Sequence, residues 1–267
     1  MMRKHLKPIP LLFATLLSVS IVSLLLNLTI AQPETDEVVT KVTLNHGIDI
    51  KKPIIDISGW QLPSEMNYDA LAQQVNGVIV RVQHGISLEK TNAAADKDGQ
   101  DKAMAKHIKA FQKRGVPVAV YAYIDGTSKA AMRQEAKKFY QRAVKYHPTF
   151  WWVDVEEVTM KKNFNQGIQA FREELVKLGA KKVGIYTQDW FVTANQIDVS
   201  AFDAVWLAHY GRDTGYWDAS PDTDIDYDLH QYTSQGRLNG FAHDLDFNRI
   251  TNLDAYNKLF NHGNPMN

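Results

Sequence analysis

The run Phe150-Trp151-Trp152-Val153-Asp154-Val155-Glu156 is apolar except for two carboxylates, Asp154 and Glu156, two residues apart at its end. Side chains alternate along a strand, so both acids would share one face, with α-carbons roughly 6.5–7 Å apart. Ionisable groups on an interior face are costly unless they are paired or used. Neighbouring carboxylates also repel, which raises the proton affinity of one of them. A protonated acid beside an anion is what glycosidic cleavage requires. The pattern is short, however. A strand that stops at Val153, leaving both acids solvated in a loop, fits it equally well.

Two further carboxylates close apolar segments: Asp56 in Ile55-Asp56-Ile57-Ser58, and Asp246 in Leu245-Asp246-Phe247-Asn248. An Asp in such a place also caps turns. His84, Tyr121, Tyr123, Tyr186, Trp206, Tyr210 and Gln231 stand at the ends of other apolar runs. Aromatics there serve a core or a sugar cleft alike, and a His there is commonly structural. There is no nucleophile elbow with a Ser–His–Asp set, no HExxH and no cysteine. Histidines and acids do not cluster at metal-ligand spacing, so neither metal nor cofactor is expected.

These residues need elements to hold them. Strands are predicted at residues 54–57, 77–82, 116–123, 150–155 and 183–186, each followed by helical spacing: 68–75, 100–114, 129–146, 165–178 and a short helix from Trp190. Alternating strands and helices imply a parallel sheet. Three more strands, at 204–208, 229–232 and about 243–247, are separated by polar loops. Eight strands close a small barrel whose interior side chains can fill. The expected fold class is therefore α/β, an irregular eight-stranded (β/α)5β3 barrel, with the last three helices missing or vestigial. An open doubly wound sheet is disfavoured because no glycine-rich phosphate loop follows the first strand. In such a barrel the active site lies at the C-terminal strand ends, where the residues named above fall.

The flanks read differently. Arg3, Lys4 and Lys7 precede residues 9–30, which carry no charge, and Thr29 and Ala31 are small. Residues 1–31 fit a cleaved secretory signal or a retained membrane anchor, and either places the domain outside the cytoplasm. Residues 32–52 read as a linker and 53–262 as one catalytic domain. Of the 30 basic and 30 acidic residues, three basic ones lie in the leader, leaving 27 against 30, or −3. That balance argues against a nucleic-acid partner. A monomer is expected.

Taken in order, the segments Asp56-Ile57-Ser58, Tyr121-Ala122-Tyr123, Asp154-Val155-Glu156, Ile185-Tyr186-Thr187, Trp206-Leu207-Ala208-His209-Tyr210, Gln231-Tyr232-Thr233-Ser234 and Leu245-Asp246-Phe247-Asn248 resemble glycoside hydrolase family 25, the Chalaropsis-type lysozymes. The resemblance spans about residues 54–250. It implies a glycan groove and cleavage of the β-1,4 bond between N-acetylmuramic acid and N-acetylglucosamine in peptidoglycan strands. It further implies Glu156 as general acid, Asp154 assisting the reacting sugar, and Asp56 and Asp246 completing a carboxylate cluster. Tyr121, Tyr123, Tyr186, Trp206, Tyr210 and Gln231 would line the groove, with His84 beside them. Gly59-Trp60-Gln61-Leu62 and Arg81-Val82-Gln83-His84-Gly85 depart from the family pattern, which bears on substrate contacts. A sugar-binding barrel without catalysis would lack one of the four acids. A chitinase-like barrel would carry further acids where Phe150 and Trp152 stand.

Overall fold

The computed structural model describes residues 48–86 and 88–261. The expected signal or anchor and most of the expected linker lie outside the described residues.

Eight strands form one closed barrel: β1 (Ile54–Ile57), β2 (Gly77–His84), β3 (Val118–Tyr123), β4 (Trp151–Asp154), β5 (Val183–Gln188), β6 (Val205–Ala208), β7 (Leu229–Gly236) and β8 (Leu245–Ile250). The first seven pair in parallel, and β8 runs antiparallel between β7 and β1. The short link 237–244 suits a reversal between neighbours, whereas a parallel connection needs about a dozen residues or more. Helices α1 (Tyr68–Ala72), α2 (Met104–Gln112), α3 (Lys129–Ala143), α4 (Phe164–Leu178) and α5 (Asp189–Ala194) each follow one of the first five strands. No helix stands between β6 and β7 or between β7 and β8.

Alternation along the strands divides the apolar residues between two cores. Outward-facing Ile55, Ile57, Val78, Val80 and Val82 pack with Phe111 of α2, Phe139 of α3 and Phe171 of α4. Inward-facing Ile54, Ile79, Ala119, Trp152, Tyr186, Trp206, Leu229 and Ile250 fill the barrel.

One helix was not foreseen. Leu253–Phe260, here α6, sends Ala255, Tyr256, Leu259 and Phe260 into the inner core. The Tyr256 hydroxyl donates to the carbonyl of Asn76, just before β2, at 2.9 Å. The helix therefore closes the N-terminal end of the barrel and leaves the opposite mouth for chemistry. Its sequence signals were the Asn252 side chain, which accepts from Ala255 N at 2.9 Å, and the apolar spacing 256, 259, 260. Residues 48–52 turn against the same closed end, where Asn76 Nδ2 donates to the Asp49 carbonyl at 2.6 Å. Among the described residues no helix is long and apolar enough to cross a membrane.

Candidate active site

Strand β4 ends at Asp154, one residue later than the solvated-loop alternative required, and Asp154 is only 4% exposed. Glu156 lies just past the strand and is partly buried. The two carboxyls are close enough to influence each other, and Asp154 Oδ1 is buried with no hydrogen-bond partner among the described residues. Burial, then the charges of Glu156 and Asp56, hold the Asp154 carboxyl well above the usual carboxylate range. Burial also raises Glu156, while Asp154 and Gln188 beside it oppose that rise. The Gln188 amide, two residues beyond Tyr186 on β5, donates to Glu156 Oε2 at 3.3 Å.

Across the mouth, Asp56 on β1 lies opposite Asp246 on β8 in the strand register. Asp56 is 5% exposed, and its Oδ2 accepts from Gln231 Nε2 at 2.9 Å and Asn248 Nδ2 at 2.8 Å. Burial pushes its carboxyl up to about 7 against those two bonds, with Glu156 adding repulsion. Asp246 is raised well above the usual range by burial, then by Asp56 and Asp213. Gln231 Oε1 in turn accepts from both Tyr186 and Tyr210 hydroxyls at 2.7 Å, which fixes the amide so that its N–H points at Asp56. Trp206 Nε1 donates to Asn248 Oδ1 at 2.7 Å and fixes the second amide in the same sense.

These bonds change the role of one expected groove residue. Trp206 is 1% exposed and packs inside the barrel against Trp152 and Tyr186, too deep to line a groove. It acts on the site through Asn248. Tyr186, 5% exposed, likewise reaches the mouth through its hydroxyl. Tyr121 is partly buried and meets Trp206 edge-on, and burial keeps its hydroxyl protonated. Tyr123 stacks on His84 with ring centroids 4.6 Å apart. Burial and the nearby Arg81 lower the His84 pKa, so its ring favours the neutral form.

Three residues at the mouth escaped the sequence reading: Arg81, Gln188 and Asn248. Each stands two positions from an interior residue on its own strand, namely Ile79, Tyr186 and Asp246 or Ile250, so strict alternation would have found them. Arg81 is the buried cation among the acids. Its Nε meets Asp101 Oδ2 at 2.9 Å, and Asp101 also accepts from the backbone of Gly59, Ala103 and Met104. That pair ties the loop after β2 to the end of β1.

The arrangement offers a proton donor next to a carboxylate, an opposed pair of acids and neutral phenol and amide donors. Such a set suits a neutral, hydroxyl-rich substrate in which positive charge develops.

The sequence profile described as Glycosyl hydrolases family 25 matches residues 55–241. The solved structure of GHIP, a glycosyl hydrolase 25 of Streptococcus pneumoniae described as participating in host cell invasion, is 49% identical. It covers 79% of this chain and 93% of its own, with a TM-score of 0.76. The catalytic domain of the endolysin ply40 from bacteriophage P40 of Listeria monocytogenes is 31% identical over 78% of this chain and 96% of its own, with a TM-score of 0.68. The CTP1L endolysin, at 21% identity, covers 78% of this chain and 69% of its own with a TM-score of 0.61, a likeness of fold. No curated protein matches the chain.

Proposed function

Because this chain belongs to glycosyl hydrolases family 25 and is a glycoside hydrolase, we propose that it cleaves the β-1,4 bond between N-acetylmuramic acid and N-acetylglucosamine in peptidoglycan. Kinship to an endolysin catalytic domain supports a cell-wall glycan as substrate. The feature that carries the reading is Asp154, buried at the end of β4, with Glu156 two residues on, at a mouth also faced by the register pair Asp56 and Asp246. Tyr121, Tyr123, Tyr210 and Gln231, with His84, would contact the glycan around them.

In the proposed reaction Glu156 protonates the leaving oxygen. Asp154 accepts the N–H of the substrate's own 2-acetamido group and orients its carbonyl oxygen toward the anomeric carbon. The high proton affinity that burial gives Asp154 suits this division: as its carboxyl becomes the acceptor of the acetamido N–H, its proton passes to Glu156, which delivers it to the leaving oxygen. Asp154 ends β4 and Glu156 follows two residues later, so the two acids come from one segment of the mouth, whereas a protein nucleophile would face the acid at about 5–5.5 Å. The acetamido oxygen is carried on the reacting ring, so binding alone supplies its proximity. Asp56 and Asp246 stabilise the charge that develops on the ring.

Digestion of purified peptidoglycan, reduction of the products and mass spectrometry of the new reducing ends tests the bond. Muramitol is expected, glucosaminitol alone would refute the assignment, and no release would leave a binding barrel. NMR of the first product should give the β-anomer, and an initial α-anomer would rule out acetamido participation. The proposed place of action is outside the cytoplasmic membrane, with residues 1–31 cleaved or retained as a tether. Recovery of the full-length protein only from the cytosol would defeat that.

A further inference from the structure

Strand β2 breaks its own alternation just before the mouth. Through Arg81, opposite Tyr121, it pairs residue for residue with β3. The partner of Ala122 is then Gln83, and that of Tyr123 is His84. Val82 and Gln83 thus stand together against one residue, a β-bulge. Val78, Val80 and Val82 pack in the outer core while Ile79 fills the barrel, so unbroken alternation would turn Gln83 inward and His84 outward. The bulge reverses both. Gln83 is fully buried under α3, and His84 stacks on Tyr123 with the ring planes 14° apart. This is also a segment in which the chain departs from the family pattern.

A buried amide needs its partners, and α3 supplies both. Gln83 Oε1 accepts from Arg142 Nη1 at 2.9 Å, and Gln83 Nε2 donates to the Glu135 carbonyl at 3.4 Å, the longer and weaker bond. Arg142 Nη2 donates to the Asp98 carbonyl at 3.1 Å and to Asp98 Oδ2 at 2.7 Å. Residues 99–101 then return along the bulge. His84 N donates to the Gly99 carbonyl at 2.9 Å, and Asp101 N to the Val82 carbonyl at 3.0 Å. Arg142 therefore ties the bulge and the returning segment to one helix, with its side chain only 11% exposed. A planar fork suits that task, because it serves two partners at a fixed spacing.

We propose that Arg142, on the outer face of the barrel, is a positioning residue: through Gln83 it holds the bulge that presents His84 to the mouth. Without the guanidinium, Gln83 Oε1 is a buried acceptor with nothing to accept. The strand escapes that cost by returning to plain alternation, which turns His84 off Tyr123. The contact of His84 with the glycan rests on the function proposed above. The bulge and its clamp do not.

The test is NMR of the full chain with labelled histidine, followed by kinetics. His84 is identified as the ring signal missing from His84→Ala. In the parent its pKa is lowered by burial and then by the Arg81 charge, against Asp125, Glu157 and Asp101. In Arg142→Ala the ring should leave Tyr123, its signals should shift and its pKa should climb toward the ordinary 6.5. On peptidoglycan strands KM should rise about fivefold, the scale of one aromatic contact, with kcat within about twofold because Asp154 and Glu156 are untouched. In the His84→Ala background the same substitution should add nothing. Arg142→Lys keeps the charge, but one ammonium cannot replace a fork that serves two partners. It should move both readings the same way by less, and it stands in if the alanine variant does not fold. Unchanged His84 signals in a folded Arg142 variant, or an undiminished KM effect in the His84→Ala background, would overturn the assignment. A His84 shift in a protein whose parent cleaves no peptidoglycan would instead sink the proposed function and keep the clamp.

Discussion

At the scale of single residues, the site is set by how burial and charge divide protons among four carboxyls. Glu156 accepts from Gln188 at 3.3 Å and stands two residues past the buried Asp154. Glu156→Gln keeps the size and removes the acid. Activity on peptidoglycan should fall about 10²–10⁴-fold with folding unchanged, as measured by reducing-end release and circular dichroism. A variant with more than half the parent rate would refute the role. Asp56 gives a second prediction, on stability. Its carboxyl rises from 3.8 to about 7 on folding, mainly through burial. A raised carboxyl pKa means that the folded state binds the proton more tightly than the unfolded one. The resulting stabilisation is complete below about 4 and is lost as pH climbs through about 7. Asp56→Asn removes the buried charge and keeps an oxygen to accept from Gln231 and Asn248. Its melting temperature should exceed that of the parent at pH 8, and the gap should close by pH 4. A gap that stays constant with pH would show that Asp56 does not titrate in that window.

At the scale of elements, the strands work because opposite faces do different jobs. On β4, Trp152 fills the barrel one layer beneath Asp154, and the facing β5 residue in register is Gly184. A Cβ at Gly184 would fall on the Trp152 ring, so the glycine is required by a close approach rather than by backbone freedom. Gly184→Ala should destabilise the fold by about 1–3 kcal/mol in denaturant unfolding. Activity should also drop in the folded fraction, because the displaced indole lies under Asp154. Stability within experimental error of the parent would show that the ring has room to move. The pair β7–β8 serves the site in another way. Its antiparallel register brings Asn248 within reach of Asp56, while β7 presents Gln231 to the same oxygen, so two amides from adjacent strands orient one carboxylate.

At the scale of the whole molecule, the two ends of the barrel are treated oppositely. One is sealed by α6, whose Leu259 is fully buried, and the other is left open and lined with polar groups. Sealing one end with apolar side chains keeps water from the barrel interior, where Trp152 and Trp206 lie. Leu259→Ala should therefore cost about 2–5 kcal/mol in chemical unfolding although it stands at the far end from the chemistry. At permissive temperature the folded variant should keep near-parent kcat. A change in kcat/KM without a change in stability would overturn the view of α6 as a plug.

Much of this was legible in the sequence because it follows from local periodicity. Short apolar runs placed all eight strands, since a barrel strand is buried on one face by the inner core and on the other by the helices. The acids Asp56, Asp154 and Asp246 stood out because a charge at the end of an apolar strand is expensive unless something uses it. Long-range pairing was not legible. The helix α6 carries an ordinary cap and amphipathic spacing, but only closure of the barrel shows that it seals one end. Trp206 read equally well as wall or core, and its burial against Trp152 and Tyr186 was decided by how β4, β5 and β6 converge. The same holds for Asn248 and Gln188. An amide gives no charge signal in a sequence, and its value here comes from the carboxylate that another strand brings to within a hydrogen bond.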